Sequence, residues 1–228
     1  LSPHVLKKFA PCMSGPLSTM FSSFLSVGKL PKQWKTAVVT PVYKKGLSSN
    51  CSNYRPISLT NVACKIMERI VADALLMYFR KHELISRAQH GFLSRRSTVT
   101  NLIDSLNDWT LAIDCKCLTD VIYVDYAKAF DSVCHNKLLH KLSAFGISGE
   151  LLAWIRCFLT DRRQMTRVGS SVSSEVVTLT SGVVQGSCLG PLLFIVYIND
   201  VIKLFSDDVK CKLFADDVKL YTGCEKKK

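Results

Sequence analysis

Between residues 210 and 221 the apolar positions fall at Cys211, Leu213, Ala215, Val218 and Leu220, with Lys210, Lys212 and Lys219 mostly between them. That two-residue period predicts a half-buried strand. The alternation breaks at Asp216-Asp217. Asp favours turns, so the stretch reads as a tight hairpin with both carboxylates at its tip. A second run, Asp120-Val121-Ile122-Tyr123-Val124-Asp125, also has strand character and ends in a carboxylate where the apolar residues stop. Two such strands side by side would bring Asp125 and Asp216 within reach of a shared pair of divalent ions.

Elsewhere the helical period dominates. Leu17, Met20, Phe21, Phe24 and Leu25 predict a helix that ends within 28–31, and the Val- and Thr-rich stretch 35–43 reads as strand. Over 62–79, Val62, Ala63, Ile66, Met67, Ile70, Val71, Ala74 and Leu75 form one apolar face of a helix entered through Thr60-Asn61. Lys65, Glu68, Arg69 and Asp73 occupy the other face and are expected to be solvated. The pattern repeats over 97–113 with Val99, Leu102, Ile103, Leu106, Trp109 and Ile113. Helices are expected near 135–145 and 150–159, and 162–180 reads as a β-hairpin around Gly169-Ser170-Ser171.

Composition adds a partner class. The 228 residues, 48% of them apolar, suffice for a sizeable core, as one unit or two lobes. Thirty Lys and Arg against 18 acids give a net charge of +12, which suits a phosphate backbone. The longest apolar run, 191–198, is far shorter than the roughly 20 residues of a membrane-spanning helix, so no membrane partner is expected. The 10 cysteines are scattered. Cys115-x-Cys117 and Cys134-His135 lack a second half with zinc spacing, and His135 and His140 lack a third ligand, so the cysteines are expected as reduced thiols. Position 1 is Leu and no secretory signal is recognisable, so the chain is expected to begin inside a longer frame.

Paired carboxylates at strand ends suit one chemistry in particular. Two ions held a few ångströms apart clamp the attacking and leaving oxygens of an in-line phosphoryl displacement. Hard oxygen ligands favour magnesium, with manganese as the substitute. A solvated Asp-Asp turn is the plainer reading of the doublet by itself.

Other segments decide between the two. Asp125-Tyr-Ala-Lys-Ala-Phe130-Asp131, then Ser181-Gly-Val-Val-Gln185-Gly186-Ser187-Cys-Leu-Gly-Pro191-Leu-Leu-Phe194, then Phe214-Ala-Asp216-Asp217 resemble motifs A, B and C of a reverse transcriptase, in order. Upstream, Leu30-Pro31-Lys-Gln-Trp34-Lys35, Thr40-Pro41-Val-Tyr-Lys44-Lys45-Gly46, Asn53-Tyr54-Arg55-Pro56-Ile57-Ser58-Leu59 and Gln89-His90-Gly91-Phe92 resemble the fingers motifs of the non-LTR, LINE-type branch, with a jockey-like flavour. The resemblance covers nearly the whole chain. Seven ordered motifs are far more specific than any one of them.

The resemblance implies an α+β fold, the fingers and palm of a right-hand polymerase, with an antiparallel palm sheet, packed helices and no thumb. It implies a helical extension over 1–33, fingers over 34–118 and palm over 119–228, with a fingers-like hairpin inserted at about 160–180 and truncation after motif C. Asp125 and Asp216 would be the principal metal carboxylates, Asp217 a weaker ligand, and the Tyr126 carbonyl would complete one shell around two magnesium ions. Phe130 would be the steric gate against a 2′-hydroxyl. Lys44 and Arg55 would hold the incoming dNTP, the one as a point charge and the other as a planar fork. Gln185 and Gly186 would lie beside the nascent base pair, with Ser187 capping the following helix. Phe92, Arg95 and Arg96, in the loop 87–97, would meet template or primer, with Phe92 as a stacking platform. His90 would be a structural hydrogen-bonder. Val184 stands where the family usually has proline, loosening a bend without removing a chemical group.

The activity implied is RNA-directed DNA synthesis from dNTPs at a DNA primer 3′-hydroxyl on an RNA template. The alternatives are a catalytically silent remnant that binds nucleic acid and an RNA-templated RNA polymerase. Asp131 matches the second acid of the latter, while Phe130 disfavours it. The family acts in the nucleus and in cytoplasmic ribonucleoprotein, but no clear targeting signal is present, the terminal Lys226-Lys227-Lys228 run being too short.

Overall fold

The computed structural model describes residues 3–172 and 175–224, so residues 173 and 174 of the expected hairpin and the terminal lysines lie outside the described residues. The chain opens with α1 (Pro3–Lys8) and α2 (Ala10–Val27), followed by a 3-10 turn over Lys32–Lys35. Then come β1 (Thr36–Tyr43), β2 (Tyr54–Leu59), α3 (Val62–Lys81), α4 (Thr98–Asp114) and β3 (Leu118–Asp125). The second half runs α5 (His135–Ala144), α6 (Gly149–Leu159), β4 (Arg162–Val168), β5 (Ser171–Val172), β6 (Val177–Leu179), α7 (Gly190–Ile198), β7 (Val209–Phe214) and β8 (Asp217–Cys224).

Local chemistry explains the helix starts. Asn61 caps α3, its Oδ1 accepting from the Ala63 N–H at 2.8 Å and the Cys64 N–H at 3.4 Å. Ser97 and Thr100 form a reciprocal capping box at the start of α4.

Two sheets result. In one, β1 pairs antiparallel with β2 and parallel with β4, which also pairs with β5 and β6. The expected hairpin therefore forms, and its first strand joins the sheet built by residues 36–59. The other sheet has the order β3-β8-β7, all antiparallel, but the hairpin tip is Ala215-Asp216, one residue earlier than expected, so that Asp217 is a paired residue of β8 rather than part of the tip. One apolar core joins the helical elements, with Phe79 and Met67 of α3, Leu138 and Leu142 of α5, Trp154 and Phe158 of α6 and Leu193 of α7 at most 1% exposed.

Two helix faces differ from expectation. Val99, Leu102, Ile103, Leu106 and Ile113 of α4 are 50–70% exposed, while Asn101 and Ser105 are buried. The buried face is polar because it receives lysines from the sheet: Lys219 Nζ donates to Ser105 Oγ at 3.0 Å and Asn101 Oδ1 at 3.3 Å, and Lys210 pairs with Asp108 at 2.8 Å. On α3, Glu68 is fully buried rather than solvated. Its Oε2 accepts from the Cys188 N–H at 2.8 Å and the Leu189 N–H at 3.3 Å, at the entry to α7. Helical periodicity locates such a residue on a face but does not register a polar partner that arrives from 120 residues away.

The nine cysteines whose side chains are described are unpaired. Among the described residues no helix is long and apolar enough to cross a membrane.

Candidate functional site

Segments distant in sequence meet around a cavity of about 500 Å³. Lys44 and Arg55 line it from the β1–β2 hairpin, Phe92 from the loop before α4, Asp125 and Tyr126 from the end of β3, and Phe130 from just beyond. Gln185 and Gly186 reach it from the segment before α7, and Asp216 from the β7–β8 turn. Asp217, Arg95 and Arg96 are not among the lining residues.

The carboxylates arrive by strand register. Asp125 pairs with Asp217 across β3 and β8, and Phe214 pairs with Asp217 across β7 and β8, leaving Ala215 and Asp216 as a two-residue turn. Asp216 is half-buried there. Burial pushes its carboxyl group above the ordinary range, the negative charges of Asp217 and Asp125 push it further, and Lys44 opposes them. A set of hard oxygens that repel one another and sit partly out of water fits a divalent cation. Among the described residues no three His, Cys, Asp or Glu side chains enclose an ion by themselves.

Phe130 is fixed by its neighbours. Its ring stacks on Phe194 with centroids 4.4 Å apart and meets Phe92 edge-on at 6.1 Å. Phe92 is 54% exposed and lies against Phe130, at the wall of the same cavity.

The segment before α7 is tied to both neighbouring motifs. The Val183 N–H donates to the Phe130 carbonyl at 2.9 Å, and the Ser58 N–H donates to the Gln185 carbonyl at 2.8 Å. Gly186 has φ +102°, and a Cβ there would stand 2.7 Å from the Ser58 carbonyl oxygen, so glycine is required twice over. Gln185 Nε2 donates to Asp131 Oδ1 at 3.2 Å, and Ser181 Oγ donates to the Asp131 carbonyl at 2.9 Å. Asp131 thus orients Gln185, a contact that spacing does not disclose. Ser187 stands two residues ahead of the N-cap Leu189, yet its Oγ accepts from the Gly190 N–H at 2.8 Å. Val184 accommodates the bend, its carbonyl accepting from the Ser187 N–H at 3.2 Å.

The cations come from a braced hairpin. The Lys44 N–H donates to the Asn53 carbonyl at 2.8 Å, and Tyr43 meets Tyr54 edge-on at 5.6 Å. Among the described residues neither Lys44 nor Arg55 forms an ion pair, which leaves both charges for an anionic ligand.

Arg95 is exposed with φ +65°, whereas Arg96 folds back, its Nη1 donating to the Arg87 carbonyl and, at 3.2 Å, to the Gln89 carbonyl. His90 is buried, with Nδ1 2.9 Å from Thr100 Oγ1 and Nε2 3.3 Å from Asp104. Burial holds its pKa below the ordinary value, assisted by Arg96.

Known proteins resemble this chain in sequence and in fold. Residues 42–227 match the family model described as reverse transcriptase (RNA-dependent DNA polymerase). The chain is 33% identical over 186 residues to a probable RNA-directed DNA polymerase from transposon BS of Drosophila melanogaster, and 32% identical to the RNA-directed DNA polymerase from mobile element jockey of the same species. Each alignment covers 81% of this chain, which spans about a fifth (20%) of the length of either relative. Among solved structures, apo telomerase from Candida tropicalis, truncated from its C-terminal domain, superposes with a TM-score of 0.60 at 15% identity, covering 92% of this chain and 49% of that one. Telomerase from Candida albicans, in complex with a fragment of telomeric RNA, gives 0.61 at 12% identity, covering 90% and 42%. Those likenesses are in the fold, an α+β arrangement of polymerase fingers and palm. The chain belongs to the reverse transcriptase family, among relatives from jockey-like non-LTR retrotransposons.

Proposed function

We propose that this chain is the polymerase domain of a LINE-type element, extending a DNA primer 3′-hydroxyl with dNTPs on an RNA template. The observation that carries the proposal is the convergence of Asp125, Asp216, Phe130, Gln185, Lys44 and Arg55 on a single cavity. In the reaction the 3′-hydroxyl oxygen attacks the α-phosphorus of the dNTP, and pyrophosphate departs in line.

Asp125 and Asp216, with Tyr126 beside them, would hold two magnesium ions, which when bound supply charge to the attacking and leaving oxygens. Lys44 and Arg55 neutralise the triphosphate, the guanidinium fork fixing its orientation. Phe130, immobilised between Phe194 and Phe92, fills the space that a ribose 2′-hydroxyl would need. Gln185, oriented by Asp131, and Gly186 border the nascent base pair. Excess positive charge attracts the template and primer backbones. On this reading the chain acts on nuclear DNA after assembling with RNA in the cytoplasm.

Primer extension on an RNA template tests the proposal. dNTP incorporation that Asp216→Ala abolishes is the expected result. Equal extension by the variant, preference for rNTPs, or no extension by the unaltered chain would contradict it.

A further inference from the structure

The loop before α4 reaches the catalytic turn from behind. The Leu213 N–H donates to the Ala88 carbonyl at 2.9 Å and the His90 N–H to the Leu213 carbonyl at 2.8 Å, so residues 88–90 run parallel to the end of β7. Gln89 is 1% exposed and lies against the turn itself. Its Oε1 accepts from the Ala215 N–H at 2.9 Å and from the Gly91 N–H at 2.7 Å, while Nε2 reaches the Ala215 carbonyl at 3.5 Å. The adjoining Gly91 leaves room for nothing more, because a Cβ there would sit 2.3 Å from the Ala215 nitrogen.

The turn needs this support. Ala215 has φ +56°, a left-handed conformation that an L-residue with a Cβ adopts only where its surroundings impose it. Ala215 is 4% exposed, so without Gln89 its N–H would have no water to replace the lost bond. Asp216 is the next residue, and its direction follows from that peptide.

We propose that Gln89 is a positioning residue for Asp216: its amide oxygen locks the Ala215 peptide and so aims the neighbouring carboxylate at the metal site. The inference rests on the reading of Asp216 as a metal ligand. It assigns the Gln89-His90-Gly91 segment to the back of the metal site, separately from the exposed Phe92 and Arg95 that follow.

The test measures Mn2+ affinity by electron paramagnetic resonance, which needs no turnover, with dNTP present. Gln89→Met keeps the length but removes the acceptor, and Gln89→Glu keeps an accepting oxygen. Gln89→Met is expected to weaken Mn2+ binding about tenfold, as loss of an outer-shell partner does, with the far-UV circular dichroism spectrum unchanged. Gln89→Glu should stay within about threefold of the unaltered chain on the same scale. Unchanged Mn2+ affinity in a folded Gln89→Met, or Gln89→Glu weakened as much as Gln89→Met, overturns the inference. If Gln89→Met does not fold, Gln89→Glu decides alone: retained affinity supports the inference and lost affinity overturns it. Asp216→Asn separates the two levels. Mn2+ bound as well by Asp216→Asn as by the unaltered chain overturns the metal reading itself, whereas loss in Asp216→Asn with none in Gln89→Met overturns only the positioning role.

Discussion

Glu68 offers a stability test whose size follows from its contacts. Its carboxylate is fully buried and accepts two backbone N–H groups at the entry to α7 and the Cys64 thiol at 3.4 Å. Arg162 supplies a nearby positive charge, although its own donors go to the Phe158 and Trp34 carbonyls. Glu68→Ala orphans the buried Leu189 N–H, at about 1–3 kcal/mol, and the partly buried Cys188 N–H at less, and opens a small cavity, partly offset by removing a poorly solvated charge. A net loss of about 2–4 kcal/mol is expected.

Glu68→Gln behaves differently. Its carbonyl oxygen can face the two N–H groups while its NH2 faces the Cys64 sulfur, so the contacts survive without the charge. Burial raises the Glu68 carboxyl above its ordinary value. A group raised in the folded state gives its full contribution below the unfolded value, about 4.3, and loses it as pH rises through the folded value. The stability of the unaltered chain minus that of Glu68→Gln should therefore fall as pH is raised from about 4.5 towards neutrality. Urea unfolding followed by circular dichroism at several pH values measures both variants. A cost below about 1 kcal/mol for Glu68→Ala, or a gap that widens in favour of glutamate with rising pH, would refute the reasoning.

Three further outcomes follow from the site. If Phe130 is the gate proposed above, Phe130→Val should relax discrimination against rNTPs by about 10- to 100-fold in competitive single-nucleotide incorporation, because the ring that would fill the sugar space is gone. Gly186→Ala should lower the unfolding free energy by about 2–4 kcal/mol in urea titration, since the new Cβ meets the Ser58 carbonyl at an unfavourable φ. Affinity for an RNA–DNA duplex, read by fluorescence anisotropy, should fall at least about tenfold between 50 and 200 mM salt, as expected when lysine and arginine displace counterions.

Much of the site is legible in the sequence because it is built from strand ends. The two-residue period over 210–221 and the run 120–125 each stop at a carboxylate, and antiparallel register then places Asp125 opposite Asp217. Ordered motifs extend this to Phe130, Gln185, Lys44 and Arg55, all of which reach the cavity. What local patterns do not encode is which polar residue a distant element will claim. Glu68 reads as part of a solvated face until the entry to α7 arrives with unsatisfied N–H groups. Asp131 reads as a second acid until Gln185 uses it, and Gln89 reads as loop until the Ala215 peptide needs its oxygen. The polar inner face of α4 has the same origin, since Lys219 dictates Asn101 and Ser105 while the apolar stripe stays outside.

The central claim is that Asp125 and Asp216 form one metal site. Mn2+ binding in the presence of dNTP, compared between the unaltered chain, Asp125→Asn and Asp216→Asn, addresses it most directly. The account predicts that either substitution alone removes the bound-ion signal while the protein stays folded. Retention of that signal at unaltered affinity in either folded variant would contradict it.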